Sequence, residues 1–251
     1  MANPDPYRPA PPRRLAVLID ADNASPRIAE GLFEEIAAIG EASVRRIYGD
    51  FSGTRLKGWA DVLARHAIMP HQNFANTVGK NASDIALVID AMDLLHTGRF
   101  DGFCLVSSDS DFTRLAARIR EQGVDVFGFG EQKTPDSFIK ACKRFIYTEN
   151  LLPAAPAPAT TTATTEVPAE PAPPREPPAQ AVPQIRAALK QMDDDDGWFH
   201  LGGVGSRLLE LNPAFDSRTY GCAKLSDLMK STGAFELRKI PGQATYVRPL
   251  S

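Results

Sequence analysis

"DGFCLVSSDSDFTRLAARIREQGVDVFGFG", residues 101–130, decides how the rest of the chain is read. Its opening GFCLV is a continuous apolar run, the pattern of a strand covered on both faces. "DFTRLAARIREQG" then reads as a helix that stops at Gly123, and "VDVFGFG" returns to strand. A strand, a helix and a second strand in such close order make a parallel crossover unit. At the first junction stand two carboxylates, Asp109 and Asp111, two residues apart. Like charges repel, so their placement where a strand gives way to a helix needs a reason.

The same alternation runs outward toward the N-terminus. "RLAVLID" (14–20) is another fully apolar strand ending in Asp20. "SPRIAEGLFEEIAAIG" reads as a helix with a cap-like Ser25, Pro26 at its first position and Gly40 at its end. "ASVRRIYGD" is a second strand, "TRLKGWADVLARH" a short helix and "AIMPHQ" a short strand. "ASDIALVIDAMDLLHTG" is a helix ending at Gly98, and "PDSFIKACKRF" a last helix before "FIYTEN". The expected fold is α/β, a Rossmann-like, mainly parallel sheet with helices on both faces. Such sheets bind ligands beyond the carboxyl ends of their strands. Asp20, Asp109 and Asp111 fall at those ends. Asp84 shares a helix face with Leu87, Val88 and Ala91, which aims it inward near the helix start. Asp90 reads as a buried hydrogen-bond acceptor.

Composition sets the outer bounds. The chain has 251 residues, a formal charge of −3 and an ordinary hydrophobic share of 43%. No overall basic character announces a nucleic-acid partner, although a local patch can coexist with an acidic total. Cys104, Cys142 and Cys222 are odd in number and form no CxxC, which argues against a disulfide framework or a zinc site and for a reducing cytoplasm. The N-terminal "MANPDPYRPAPPRR" lacks the apolar core of a signal peptide, and no apolar run approaches a membrane span. The stretch 151–180, rich in Pro, Ala and Thr, reads as an extended tether. The expected organisation is a disordered 1–12, a larger domain over 13–150, the tether, and a small domain over 181–251.

Taken singly, each aspartate reads equally as a helix cap, since Ser108, Asp109 or Ser110 would serve there, and Asp22 and Asn23 would turn the chain before Ser25. Taken together, Asp20, Asp84, Asp109 and Asp111 gather on one sheet edge, and clustered carboxylates are costly unless a proton or cation compensates them. An all-oxygen acidic site suits Mg²⁺ or Mn²⁺, which bind substrate phosphate and activate water for phosphodiester hydrolysis.

The segments "LAVLIDADN", "KNASDIALVIDAMDLL", "DGFCLVSSDSDFTRLAARIREQGVDVFGFG" and "TPDSFIKACKRFIYTEN" together resemble an NYN domain of the LabA-like group, within the PIN-like nuclease superfamily. The resemblance implies a PIN-type sheet and metal-dependent RNA cleavage. It implies that Asp20, Asp84, Asp109 and Asp111 form the catalytic metal shell, with Asn23 matching the asparagine after the first aspartate. Ser108 and Lys80 join the set as substrate-binding positions; an ordinary loop lysine is the competing reading of Lys80. Arg45, Arg46, Arg55, Lys57 and Lys133 are candidates to steer RNA, with Trp59 and Phe51 as stacking surfaces. Trp59 reads as well as a core residue, and His66 and His71 as surface or core groups.

After the tether, helical patterns carry Ile185 and Leu189, then Val204, Leu208 and Leu211, then Leu225, Leu228 and Met229, followed by a hairpin around "PGQ". "FDSRTYGCAKLSDLMKSTGAFELR" resembles a LOTUS, or OST-HTH, domain of winged-helix-like α+β form. That resemblance implies binding of RNA or of a protein partner, with Arg218, Lys224, Lys230, Arg238 and Lys239 available to phosphate. The acidic "DDDD" (193–196) places any such face elsewhere. Two other readings compete. A non-catalytic RNA-binding scaffold needs no metal. A haloacid-dehalogenase-like phosphatase would use Asp20 as nucleophile and Asp22 as acid/base, but the Asn-Ala that follows breaks its usual pattern. A homodimer is the expected assembly.

Overall fold

A computed structural model of the chain describes residues 11–73, 82–152, 175–194, 196–239 and 244–250. Lys80, most of the tether and the PGQ turn lie outside the described residues. The chain divides into two compact units, Met1–Cys142 and Lys143–Ser251.

β1 (Arg14–Asp20) is buried at every position after Arg14, as its unbroken apolar run requires. It pairs in parallel with β2 (Glu41–Gly49) on one side and β4 (Gly102–Val106) on the other. β3 (Met69–Gln72) lies beyond β2, and β5 (Asp125–Gly130) beyond β4, both parallel. With β6 (Arg144–Tyr147) the order is β3-β2-β1-β4-β5-β6. The chain therefore builds outward from β1 in one direction and from β4 in the other. The switch point between them is where such sheets open a crevice.

The helices around the sheet follow the expected punctuation. Ser25 caps a short 3-10 turn, Pro26–Ile28, that leads into α1 (Ala29–Ile39). α2 (Ala60–Arg65) is short, and Trp59 before it is buried, so the stacking role considered for that indole gives way to core packing. α3 (Ala82–His96) packs on β1 and β2, and α4 (Thr113–Glu121) on β5 and on α5 (Asp136–Ala141). Gly102 opens β4 where a side chain would press on Leu15 and Phe127, at 2.9 and 3.0 Å from an added Cβ. The absent side chain lets β1, β4 and β5 close over one another.

Arg46, Tyr48 and His71 converge on one carboxylate of α3. Asp90 accepts from Arg46 Nη1 at 2.7 Å and from the Tyr48 hydroxyl at 2.8 Å, with His71 Nδ1 at 3.4 Å. Burial, and the bond to Asp90, push the Tyr48 phenol well above its ordinary range; burial holds the His71 imidazole below its own. The expectation that Asp90 is a structural acceptor is what the structure displays. His66 is likewise structural, stacked on Phe33 with ring centroids 5.0 Å apart.

The second unit contains α6 (Val182–Leu189), entered through a 3-10 turn at Pro178–Ala181, then α7 (Leu201–Leu211) and α8 (Leu225–Thr232). A small antiparallel sheet, ordered β7 (Phe199–His200), β9 (Thr245–Pro249), β8 (Phe235–Lys239), covers them. Ile185, Leu208, Leu228, Met229, Phe235 and Val247 form its core.

Candidate active site

The site is assembled from strand ends. β1 and β4 run side by side with Ile19 opposite Val106, so Asp20 and Ser107 emerge next to each other. Asp20 is only 1% exposed. A carboxylate so buried must be satisfied by donors, and it is. One oxygen accepts from the backbone N–H of Asp22 at 3.0 Å; the other accepts from Asn23 Nδ2 and from the Ser107 hydroxyl, both at 2.8 Å. Burial still outweighs these bonds and raises its proton affinity.

Ser107 also accepts from the backbone N–H of Asp109 at 3.1 Å. One hydroxyl thus joins the ends of two strands. Asp109 caps the 3-10 turn Ser110–Phe112, accepting from the Asp111 N–H at 2.9 Å. The capping reading of Asp109 and the site reading are both satisfied by one side chain, because a cap occupies one oxygen and leaves the other.

Asp84, in the first turn of α3, is the most informative group. Its carboxyl is pushed up to about 6, first by burial and then by the charges of Asp20, Asp109, Asp22 and Asp111. The charges of Asp20, Asp109 and Asp111 thus reach Asp84 at the sheet edge, and a further acid, Asp22, acts with them. Asp22 pairs with Arg55 and accepts from the Ser83 hydroxyl at 3.4 Å. In the sequence Asp22 reads as a turn former or, on the phosphatase alternative, as an acid/base, and not as a member of the metal set. Its signal was present in the spacing D-x-D after the first strand, but the same spacing also makes a turn.

Among the described residues, no group of three or more His, Cys, Asp or Glu is placed to hold a metal ion. The acids are coupled through space without converging. The donor set nevertheless suits a hard divalent cation: all oxygen and all carboxylate.

The other expected positions resolve individually. Asn23 spends its amide on Asp20. Ser108, expected to touch substrate, is buried and accepts from the Glu131 N–H at 2.8 Å, tying the β4 end to the β5 end. Arg218, in the second unit, is clasped by Asp216: its Nε lies 3.0 Å from both carboxylate oxygens and its Nη2 2.6 Å from one. Lys224 is exposed just before α8.

Comparison with known proteins supplies the family. The model of the NYN domain matches residues 14–151, more than half of the chain, and that of the OST-HTH/LOTUS domain matches 176–247. No curated protein matches. Among solved structures, a Vibrio parahaemolyticus protein of unknown function is 19% identical over 56% of this chain and 96% of its own, with a TM-score of 0.46. An uncharacterized Nitrosomonas europaea protein, solved by NMR, is 37% identical over 38% of this chain and 93% of its own, with a TM-score of 0.26. Neither superposition is close enough to carry an argument about function. The fold and the family models agree: this chain belongs to the NYN family of PIN-like nuclease domains, and its NYN domain is followed by an OST-HTH/LOTUS domain, a module that binds RNA.

Proposed function

We propose that the protein is a metal-dependent ribonuclease that hydrolyses RNA phosphodiester bonds at Asp20, Asp84, Asp109 and Asp111. The observation that carries this reading is Asp84, whose carboxyl is pushed up to about 6 first by burial and then by the charges of four other acids at the switch point of the sheet. A fold gains nothing from crowding charges there unless something positive arrives. When bound, Mg²⁺ or Mn²⁺ would activate water and offset charge on the phosphate. Asp20 is fixed by three donors and supplies the rigid member of the set. Asp109 is oriented by its cap, which occupies one oxygen and leaves the other for a cation. Asp84, with its carboxyl pushed up to about 6, releases its proton just below neutrality. The OST-HTH/LOTUS domain, joined by the 151–180 segment, would raise the local concentration of RNA.

The test is cleavage of labelled single-stranded and hairpin RNA with Mn²⁺, with Mg²⁺ and with EDTA, beside an Asp20→Asn/Asp109→Asn double variant. Cleavage that needs metal and falls by about two to three orders of magnitude in the variant is expected. Cleavage indifferent to EDTA or to the substitutions overturns the reading. The runner-up, a non-catalytic RNA scaffold, draws on the lack of convergence among the acids; RNA bound but never cut would favour it.

A further inference from the structure

The geometry points to Arg55 as the residue that grips the substrate phosphate. This rests on the nuclease reading above and deepens it. Five carboxylates at one crevice repel a polyanion, and a divalent cation is drawn to the acids rather than to the strand as a whole. RNA therefore needs a separate cationic contact at the rim. Arg55 lies in the segment between β2 and α2, and its Nη2 is joined to Asp22, which the Ser83 hydroxyl holds from the α3 side. The Arg55 side chain is 70% exposed and that of Asp22 28%. A pair so exposed contributes little to folding, so stability does not explain it. What the pairing does is orient. A guanidinium carries five N–H donors. Among the described residues Asp22 is the hydrogen-bond partner of Arg55, through Nη2, and a side chain 70% exposed leaves its other donors open to solvent. A planar fork anchored at one nitrogen and open at the others is suited to two oxygens of one phosphate.

The experiment uses the full chain and a short fluorescein-labelled single-stranded RNA. Binding is read by anisotropy in Mn²⁺, with Asp109→Asn present to block cleavage; KM and kcat are read without it. Arg55→Ala is expected to weaken RNA binding about tenfold or more and to raise KM alike, with the Mn²⁺ concentration at half-maximal rate unchanged. Arg55→Lys should recover only part, because an ammonium is a point charge and not a fork. Unchanged or tighter RNA binding in Arg55→Ala overturns the assignment, as does an effect confined to the Mn²⁺ dependence. Should the parent protein cut no RNA, the nuclease reading falls on its own. The anisotropy comparison still decides Arg55: lost affinity keeps the phosphate contact, and retained affinity removes it.

Discussion

Asp84 and Asp90 sit six positions apart on the same helix and have opposite company. Asp90 is surrounded by donors: a guanidinium, a phenol and an imidazole. Asp84 is surrounded by other acids. The first arrangement pins α3 to β2 and β3. The second works against folding and is tolerated at the sheet's ligand-binding edge. One helix thus has a fastened middle and a strained start, and the fastening holds the strain in place. The two carboxylates are told apart by their neighbours and not by their burial, since both are partly covered.

Three measurements would sharpen or break this contrast. The largest effect belongs to Asp90→Ala, which leaves Arg46 without its counter-charge and the Tyr48 hydroxyl without its acceptor. A fully buried pair broken this way costs about 3–5 kcal/mol; with these side chains 24–29% exposed, about 2 kcal/mol is expected by urea denaturation. A loss no greater than that of an ordinary surface aspartate would dissolve the distinction. Next comes Asp84→Asn, expected to raise metal-free stability by about 1 kcal/mol through relief of like charge, while Mn²⁺-dependent cleavage disappears. A destabilised Asp84→Asn would place Asp84 in the structural class with Asp90. The smallest effect is the pH dependence. Asp84 binds its proton more tightly folded than unfolded, so the folded state carries more protons between about pH 4 and 6 and stability falls as pH rises through that window. Discounted for a half-exposed carboxyl, the fall is under about 1 kcal/mol. It should be absent in Asp84→Asn and reduced by millimolar Mn²⁺. An equal slope in parent and variant would assign it to other groups.

Most of the sheet was legible because burial on both faces leaves no polar residue to interrupt a strand: RLAVLID and GFCLV admit no other reading. The acids at their ends were legible from the same fact, since the first polar residue after such a run marks the edge of the core. What was hidden depends on contacts between distant residues or on a choice between equals. Asp22 reads as a turn until Asp84 is brought across the sheet beside it. Arg55 meets Asp22 across 33 positions of sequence, which no local pattern encodes. Ser108, a substrate-binding candidate in the sequence, is buried at the strand end and accepts from the Glu131 N–H. Arg218 shows the opposite case. Its partner Asp216 is two residues away, a local capping arrangement that the stretch FDSR already contains.

Ser107 has a consequence for how such a protein could change over generations. Its hydroxyl donates a hydrogen bond to Asp20 and accepts one from the Asp109 N–H. The spacing of two acids therefore hangs on a neutral atom that would bind no metal and touch no phosphate. On the ribonuclease reading proposed above, a lineage could lose cleavage and keep RNA binding by losing that single oxygen, with every aspartate still in place. An inventory of acidic residues would count such a descendant as active.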